Sequence, residues 1–386
     1  MNMDNITEFG YRTEPEKIKK RKLEGIKNNF KYFYDHNSFY RRYCETIYKY
    51  GIGDEISPED IKTYEDLYKI PLLPSDFFKE LSARGLENYI ITDNIKANIF
   101  FTTSGTTGTQ TKYLFDENSL KLINEENIFT CKEILNVKEG DKVIFLAPPP
   151  ERSRSGLVQG AYRMFQGIVK DNIYFLYEES IEKESSKILE ELMKKIKKEP
   201  GDKIHLYGPP FVYYEIAKEL EEKNKIIDTG GKCMITGGWK RWKGGEIPRE
   251  ELYNLIAERF NIEKKDVRDG LGLTDIFMWC PECEYHKKHI PLGIHVSIRD
   301  PENFNIPVES GEEGLLAFMS PYIKSYPPFV VTGDIGVETT SVEEFCECGR
   351  TGNTIEHKRR ARGTLPRGCA LVLEELIKRM ENEEKI

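Results

Sequence analysis

Between Thr102 and Lys112 the chain reads Thr-Thr-Ser-Gly-Thr-Thr-Gly-Thr-Gln-Thr-Lys. Hydroxyls and backbone N–H groups donate to phosphate oxygens, glycines let the backbone approach a polyphosphate closely, and the closing Lys112 can neutralise charge on a leaving pyrophosphate. The same residue types also suit a solvated Thr/Gly turn between a strand and a helix. A Walker loop is excluded, because the order G-x-x-x-x-G-K-[ST] is not met here.

A second constellation is made of sulfur. Cys280-Pro281-Glu282-Cys283 and Cys346-Glu347-Cys348-Gly349 form two close pairs far apart in the chain. C-x-x-C together with C-x-C suits a tetrahedral structural zinc, Zn2+, with an iron–sulfur cluster or four unligated thiols as the other readings. His286 or His289, in the segment CPECEYHKKH, could displace one cysteine. An ion with four protein ligands and no vacancy does no chemistry and acts as a clip, whose binding is folding free energy. Cys44 and Cys131 stand alone in helical patterns and read as inert core thiols.

These groups need a scaffold, and 386 residues suit one large core with a smaller appendage. A formal charge of −8 argues against a nucleic-acid or membrane-surface partner, so the ligand is expected to be small. The N-terminal MNMDNITEFGYRTEPEKIKKRK has no apolar signal region, and no run approaches the roughly 18 apolar residues of a membrane span. A cytoplasmic protein with reduced thiols is the expectation.

Residues 14–50 read as one charged, aromatic-rich helix, and Ser57-Pro58-Glu59-Asp60 as the start of another. From residue 97 short apolar runs alternate with amphipathic stretches: ANIFFT, Glu117 to Leu135, KVIFLA, Gly156 to Val169, IYFLY, Ile181 to Lys197, KIHLY, Phe211 to Lys223, KCMIT and Pro248 to Phe260. That rhythm predicts an α/β domain with helices on a largely parallel sheet, whose ligands sit beyond the carboxyl ends of the strands.

The loop ending in Lys112 resembles the Thr-Ser-Gly-Thr-Thr-Gly signature of the adenylate-forming superfamily, which includes acyl-CoA synthetases. The resemblance implies the large N-terminal domain of those enzymes, ATP and Mg2+ as ligands, and phosphate contacts from Thr103, Ser104, Gly105, Thr106, Thr107 and Gly108. Three further loops resemble the family's in the same order. Thr236-Gly237-Gly238 is similar to the glycine turn bordering the adenine and acyl pocket. Gly272-Leu273-Thr274-Asp275 resembles the family's Gly-x-Thr-Glu, so Thr274 belongs to the nucleotide site and Asp275 offers a carboxylate for Mg2+ on a shorter arm. Thr332-Gly333-Asp334 resembles the Thr-Gly-Asp whose aspartate holds the ribose hydroxyls. An exposed turn carboxylate is the other reading of Asp275 and Asp334. Similar cysteine sets occur in phenylacetate-CoA-ligase-like members, and here the clip would pin the loops that precede each pair.

Near the C-terminus Arg367-Gly368-Cys369-Ala370-Leu371 resembles the acyl-protein synthetase (LuxE) family, whose basic-Gly-Cys-Ala-Leu segment carries the cysteine that accepts an acyl group. Gly208-Pro209-Pro210-Phe211, Ile235 to Lys240 and Ser325 to Thr332 extend the likeness over about 20–375. It implies an adenylation domain over 1–362 with the zinc clip at about 276–349, and a reduced segment over 363–386 where acyl-CoA synthetases carry a mobile lysine-bearing domain. It implies a fatty acid activated as acyl-AMP, thioester transfer to Cys369, and a reductase partner. Arg359, Arg360, Arg362 and Arg367 could lower the pKa of Cys369, whose other reading is a buried thiol in CALVL. Rival functions are a phenylacetate-type CoA ligase and a silent acyl-binding or scaffold subunit. Trp239, Trp242, Trp279, Tyr207, Tyr213 and Tyr214 could line an acyl pocket or fill the core.

Overall fold

The computed structural model describes residues 10–49, 55–103, 110–176, 185–196, 202–239, 244–361, 374–378 and 380. Helix α1 (Pro15–His36) opens on a proline, whose missing N–H is no loss in a first turn, and buries Ile18, Ile26, Phe30 and Phe33. The single helix expected over 14–50 breaks at Asn37, which adopts an extended backbone. Its Oδ1 accepts the Tyr40 N–H at 2.8 Å and its Nδ2 donates to the Ile90 carbonyl at 3.0 Å, so the side chain caps α2 (Ser38–Lys49) instead of continuing α1.

The helix expected from Ser57 is only a 3-10 turn, Pro58–Asp60. Asp66 explains this, because its carboxylate accepts the Lys62 and Thr63 N–H groups at 2.9 and 2.7 Å and starts a new turn, Glu65–Lys69. Then come β1 (Leu73–Pro74), α3 (Ser75–Arg84), β2 (Ile99–Thr102), β3 (Lys112–Phe115) and α4 (Glu117–Leu135). The alternating stretch follows as β4 (Lys142–Phe145), α5 (Gly156–Val169), β5 (Ile173–Phe175), α6 (Ser185–Lys195), β6 (Ile204–Gly208), α7 (Pro210–Glu222), β7 (Gly230–Thr236), α8 (Arg249–Arg259) and β8 (Val267–Leu273). Strands β9 (Met278–Pro281), β10 (Lys288–His289), β11 (His295–Arg299), β12 (Gly314–Met319), β13 (Phe329–Thr340) and β14 (Thr354–Arg360) complete it.

The chain divides into two compact units. The first takes Met1–Glu126, Leu273–Met278 and Ile290–Ile386. Its antiparallel sheet runs β14-β13-β12-β11, with β1 parallel to β13. Phe30 and Phe33 of α1 meet Phe329 of β13 edge-on with ring centres 6.3 and 5.8 Å apart, a geometry that favours the quadrupoles of both rings.

The second unit takes Asn127–Gly272 and Trp279–His289. Its sheet runs β5-β4-β6-β7-β8-β9, and β5, β4, β6, β7 and β8 pair in parallel. Side chains alternate across it: Val143, Phe145, Tyr207 and Met234 pack with Phe165 and Ile168 of α5, while Ile144, Leu206, Cys233 and Ile235 pack with Ile216 of α7 and Ile256 of α8. Burial on both faces is what the uninterrupted apolar runs demand. Run ANIFFT, expected in this sheet, is not part of it. TKYLF, passed over in the periodicity, folds back so that β2 and β3 make a separate antiparallel hairpin with Thr102 opposite Lys112.

Candidate functional site

The hydroxyl-rich segment therefore connects two paired strands, β2 and β3. Ser104, Gly105, Thr106, Thr107 and Gly108 lie outside the described residues, but the neck of the loop is defined. The Thr103 N–H donates to the Thr111 carbonyl at 3.0 Å, and the Thr111 N–H donates to Thr103 Oγ1 at 3.1 Å. Both ends of the loop are thus tied by one threonine. Lys112 follows at once, its N–H donating to Ser82 Oγ at 2.9 Å and its Nζ lying 5.0 Å from the centre of the Phe100 ring.

Asp275 is 9% exposed, so the exposed-turn reading is not what its burial favours. Its Oδ1 accepts the hydroxyls of Ser75 and of Tyr113, the latter at 2.7 Å, and its carbonyl accepts the Tyr326 hydroxyl at 2.7 Å. Among the described residues Asp275 makes no ion pair. A buried carboxylate held only by neutral donors lacks a compensating cation, and hard oxygen donors of this kind fit Mg2+.

Thr332-Gly333-Asp334, read as a loop, lies within the long strand β13. Thr332 Oγ1 donates to the Leu316 carbonyl at 2.9 Å and accepts the Asp334 N–H at 3.2 Å. The Asp334 side chain is 13% exposed, with Oδ1 3.1 Å from His357 Nε2. Thr236 ends β7 opposite Gly270 of β8, and Gly237 turns the chain at φ +76°, a conformation glycine adopts freely.

The cysteines sit in two turns of one form. The Cys283 N–H donates to the Lys287 carbonyl at 2.9 Å and the His286 N–H to the Cys283 carbonyl at 2.9 Å; Cys346 with Arg350, and Gly349 with Cys346, repeat this at 2.8 Å each. Bridges Glu282–Lys288 and Phe345–Thr351 flank them in the same register. His286 and Gly349 occupy the left-handed position, φ +57° and +74°. Cys280, Cys283 and His289 are buried in the second unit, and in the first unit Cys346 is buried and Cys348 partly exposed.

His286 is turned to another task. Its Nδ1 is 3.4 Å from Glu282 Oε2, and Glu282 is fully buried. Lys288 Nζ and Arg249 Nη2 reach Glu282 Oε1 at 2.8 and 2.7 Å, while the Tyr253 hydroxyl and the Asp269 N–H donate to Oε2 at 3.0 and 2.9 Å. Burial pushes this carboxyl up, but Lys288, the bond from His286 and Arg249 outweigh it and hold it at about 2. Nothing in the local sequence announced the contacts of Glu282 with Arg249, Tyr253 and Asp269, nor the hydroxyls on Asp275, because these partners are remote in the chain.

Trp279, Tyr207 and Tyr213 belong to the buried core, and Trp239 and Tyr214 pack against it; Trp242 lies outside the described residues. A cavity of about 430 Å3 between the loop after β4 and α5 is lined by Glu151, Arg154, Gln159, Tyr162, Arg163 and Gln166, too polar for an alkyl chain. Cys44 and Cys131 are fully enclosed, and burial pushes both thiols well up, consistent with inert core residues. Cys369, Arg362 and Arg367 lie outside the described residues. No described helix is long and apolar enough to cross a membrane.

A family model described as "Acyl-protein synthetase, LuxE" matches residues 8–378. A protein of Vibrio harveyi named long-chain-fatty-acid–luciferin-component ligase is 27% identical over 354 residues, 90% of this chain and 85% of its own. The protein of that name from Aliivibrio fischeri is 27% identical over 367 residues, 92% of this chain and 88% of its own. Among solved structures, 2-hydroxyisobutyryl-CoA ligase in complex with 2-HIB-AMP and CoA in the thioesterification state has a TM-score of 0.67 at 18% identity, covering 88% of this chain and 67% of that one. Its open conformation gives 0.64 at 17% identity, covering 88% and 74%. The shared fold is that of adenylate-forming ligases.

Proposed function

The chain belongs to the acyl-protein synthetase (LuxE) family and is a ligase by that membership, and we propose that it activates a long-chain fatty acid with ATP and passes the acyl group to its own Cys369. In the first step a carboxylate oxygen attacks the α-phosphorus of ATP, the bond to pyrophosphate breaks, and acyl-AMP forms. In the second the Cys369 thiolate attacks the acyl carbon, AMP leaves, and a thioester remains. A reductase then receives the acyl group.

The observation that carries this reading is the hairpin loop closed at its neck by Thr103 and Thr111, with Lys112 directly after it. Residues 103–108 would cradle the phosphates, and Lys112 would meet the charge that develops on pyrophosphate. Asp334, steadied by His357, would accept the ribose hydroxyls, and Thr236-Gly237-Gly238 would border the adenine. Thr274 and Asp275 would hold Mg2+, which when bound supplies charge neutralisation on the phosphates. A structural zinc is proposed on the spacing of the two cysteine pairs.

The test is incubation with labelled fatty acid and Mg·ATP without CoA, reading pyrophosphate release and protein-bound label. Release in both wild type and Cys369→Ser, with label on wild type alone, is the expected result. A thioester that forms only when CoA is added would make the protein a CoA ligase, and neither release nor label would make it a scaffold.

A further inference from the structure

We infer that Tyr113 and Ser75 are positioning residues that orient the Asp275 carboxylate for a divalent cation and tie it to the hairpin bearing the phosphate loop. The inference rests on the reading of Asp275 as the carboxylate for Mg2+. Three hydroxyls, from positions 75, 113 and 326, converge on this one residue across 200, 162 and 51 positions of sequence. An ordinary turn aspartate needs no such apparatus, since water satisfies it.

The distribution of these bonds is selective. Both side-chain donors address Oδ1, and the third addresses the main-chain carbonyl, so no described residue donates to Oδ2. A carboxylate pinned through one oxygen presents the other in a fixed direction, which is how groups behind a metal ligand set its geometry. Neither donor carries charge, so no ion pair to a described residue competes with a cation.

Tyr113 also connects two parts of the proposed site. It follows Lys112 on β3, and alternation along a strand sends the two side chains to opposite faces. Lys112 extends over Phe100, while the Tyr113 ring is enclosed 5.2 Å from Phe78 and 5.8 Å from Tyr326. Its hydroxyl donates to Asp275 Oδ1 at 2.7 Å. A displacement of the hairpin is therefore felt at Asp275 through one hydrogen bond.

The experiment uses the full chain as wild type, Tyr113→Phe, Ser75→Ala and, as control, Tyr213→Phe, a buried phenol that donates to the Met234 carbonyl at 3.3 Å. Mn2+ binding is followed by electron paramagnetic resonance with a non-hydrolysable ATP analogue present, and fatty-acid-dependent pyrophosphate exchange is measured against Mg2+ concentration. Tyr113→Phe is expected to weaken Mn2+ about 10- to 100-fold and to raise the Mg2+ needed for half-maximal exchange in proportion, excess Mg2+ restoring the rate. Ser75→Ala acts in the same direction and Tyr213→Phe moves neither. Unchanged Mn2+ affinity in Tyr113→Phe, with exchange lowered equally at every Mg2+ concentration, makes Tyr113 merely structural and overturns the inference. Weakened Mn2+ binding in a protein whose wild type exchanges with no fatty acid upholds the inference and overturns fatty-acid activation alone. Wild type that binds no Mn2+ overturns both.

Discussion

A carboxylate with no access to water stays ionised only where fixed donors replace the solvent, and Glu282 meets that condition with Lys288, Arg249, Tyr253 and the Asp269 N–H. Its acidity in the folded chain, about 2, lies below the ordinary 4.5. A depressed value means the stability it contributes is complete above the unfolded value and is lost as pH falls through 4.5 toward 2. Glu282→Gln should cost about 3–5 kcal/mol near neutrality, because Lys288 and Arg249 lose their shared anion. Urea unfolding should find the gap between wild type and variant narrowing by about 2 kcal/mol at pH ~3, and a gap independent of pH would remove Glu282 from the account. In the sequence this glutamate stands between two cysteines and no role was assigned to it. Its partners at 249, 253 and 269 come from other elements, so no local pattern could reveal them. The pairing also brings His286 Nδ1 to 3.4 Å from Glu282 Oε2.

At the scale of elements, the two cysteine turns share a hydrogen-bond pattern although their sequences, CEYHK and CECGR, share little beyond the cysteine and glutamate. What they share physically is a left-handed fourth residue, which glycine supplies in one and His286 in the other. Gly349→Ala should strain the second turn by about 1 kcal/mol or more and loosen the proposed zinc. Metal analysis should find about one zinc per wild-type chain, released faster to a chelator from the variant together with a lower Tm; equal release would separate the turn from metal retention. The paired spacing of the cysteines was legible directly from the sequence. The hairpin β2–β3 was not, since four-residue strands are too short for a two-residue period to stand out from a Thr/Gly-rich surround. Asn37 likewise ends α1 through contacts with Ile90 and Thr92, which no helical periodicity contains.

Across the whole molecule, the middle of the chain was the most legible part, because strands buried on both faces must be continuously apolar and their crossover helices must be amphipathic. From KVIFLA onward the expected runs coincide closely with β4 to α8. The antiparallel sheet β14-β13-β12-β11 was not foreseen, and Thr332 to Asp334, resembling a loop motif, lies inside its longest strand. Family membership rests on a match over residues 8–378, so it concerns nearly the whole chain and no single motif. In the proposed reaction the Thr/Gly loop and Lys112 hold a triphosphate for attack by a fatty carboxylate. Fatty-acid-dependent exchange of labelled pyrophosphate into ATP measures that step before any thiol takes part. The account predicts exchange in wild type and in Cys369→Ser, falling by about 100-fold or more in Lys112→Ala; undiminished exchange in Lys112→Ala, or none in wild type with any fatty acid, would contradict it.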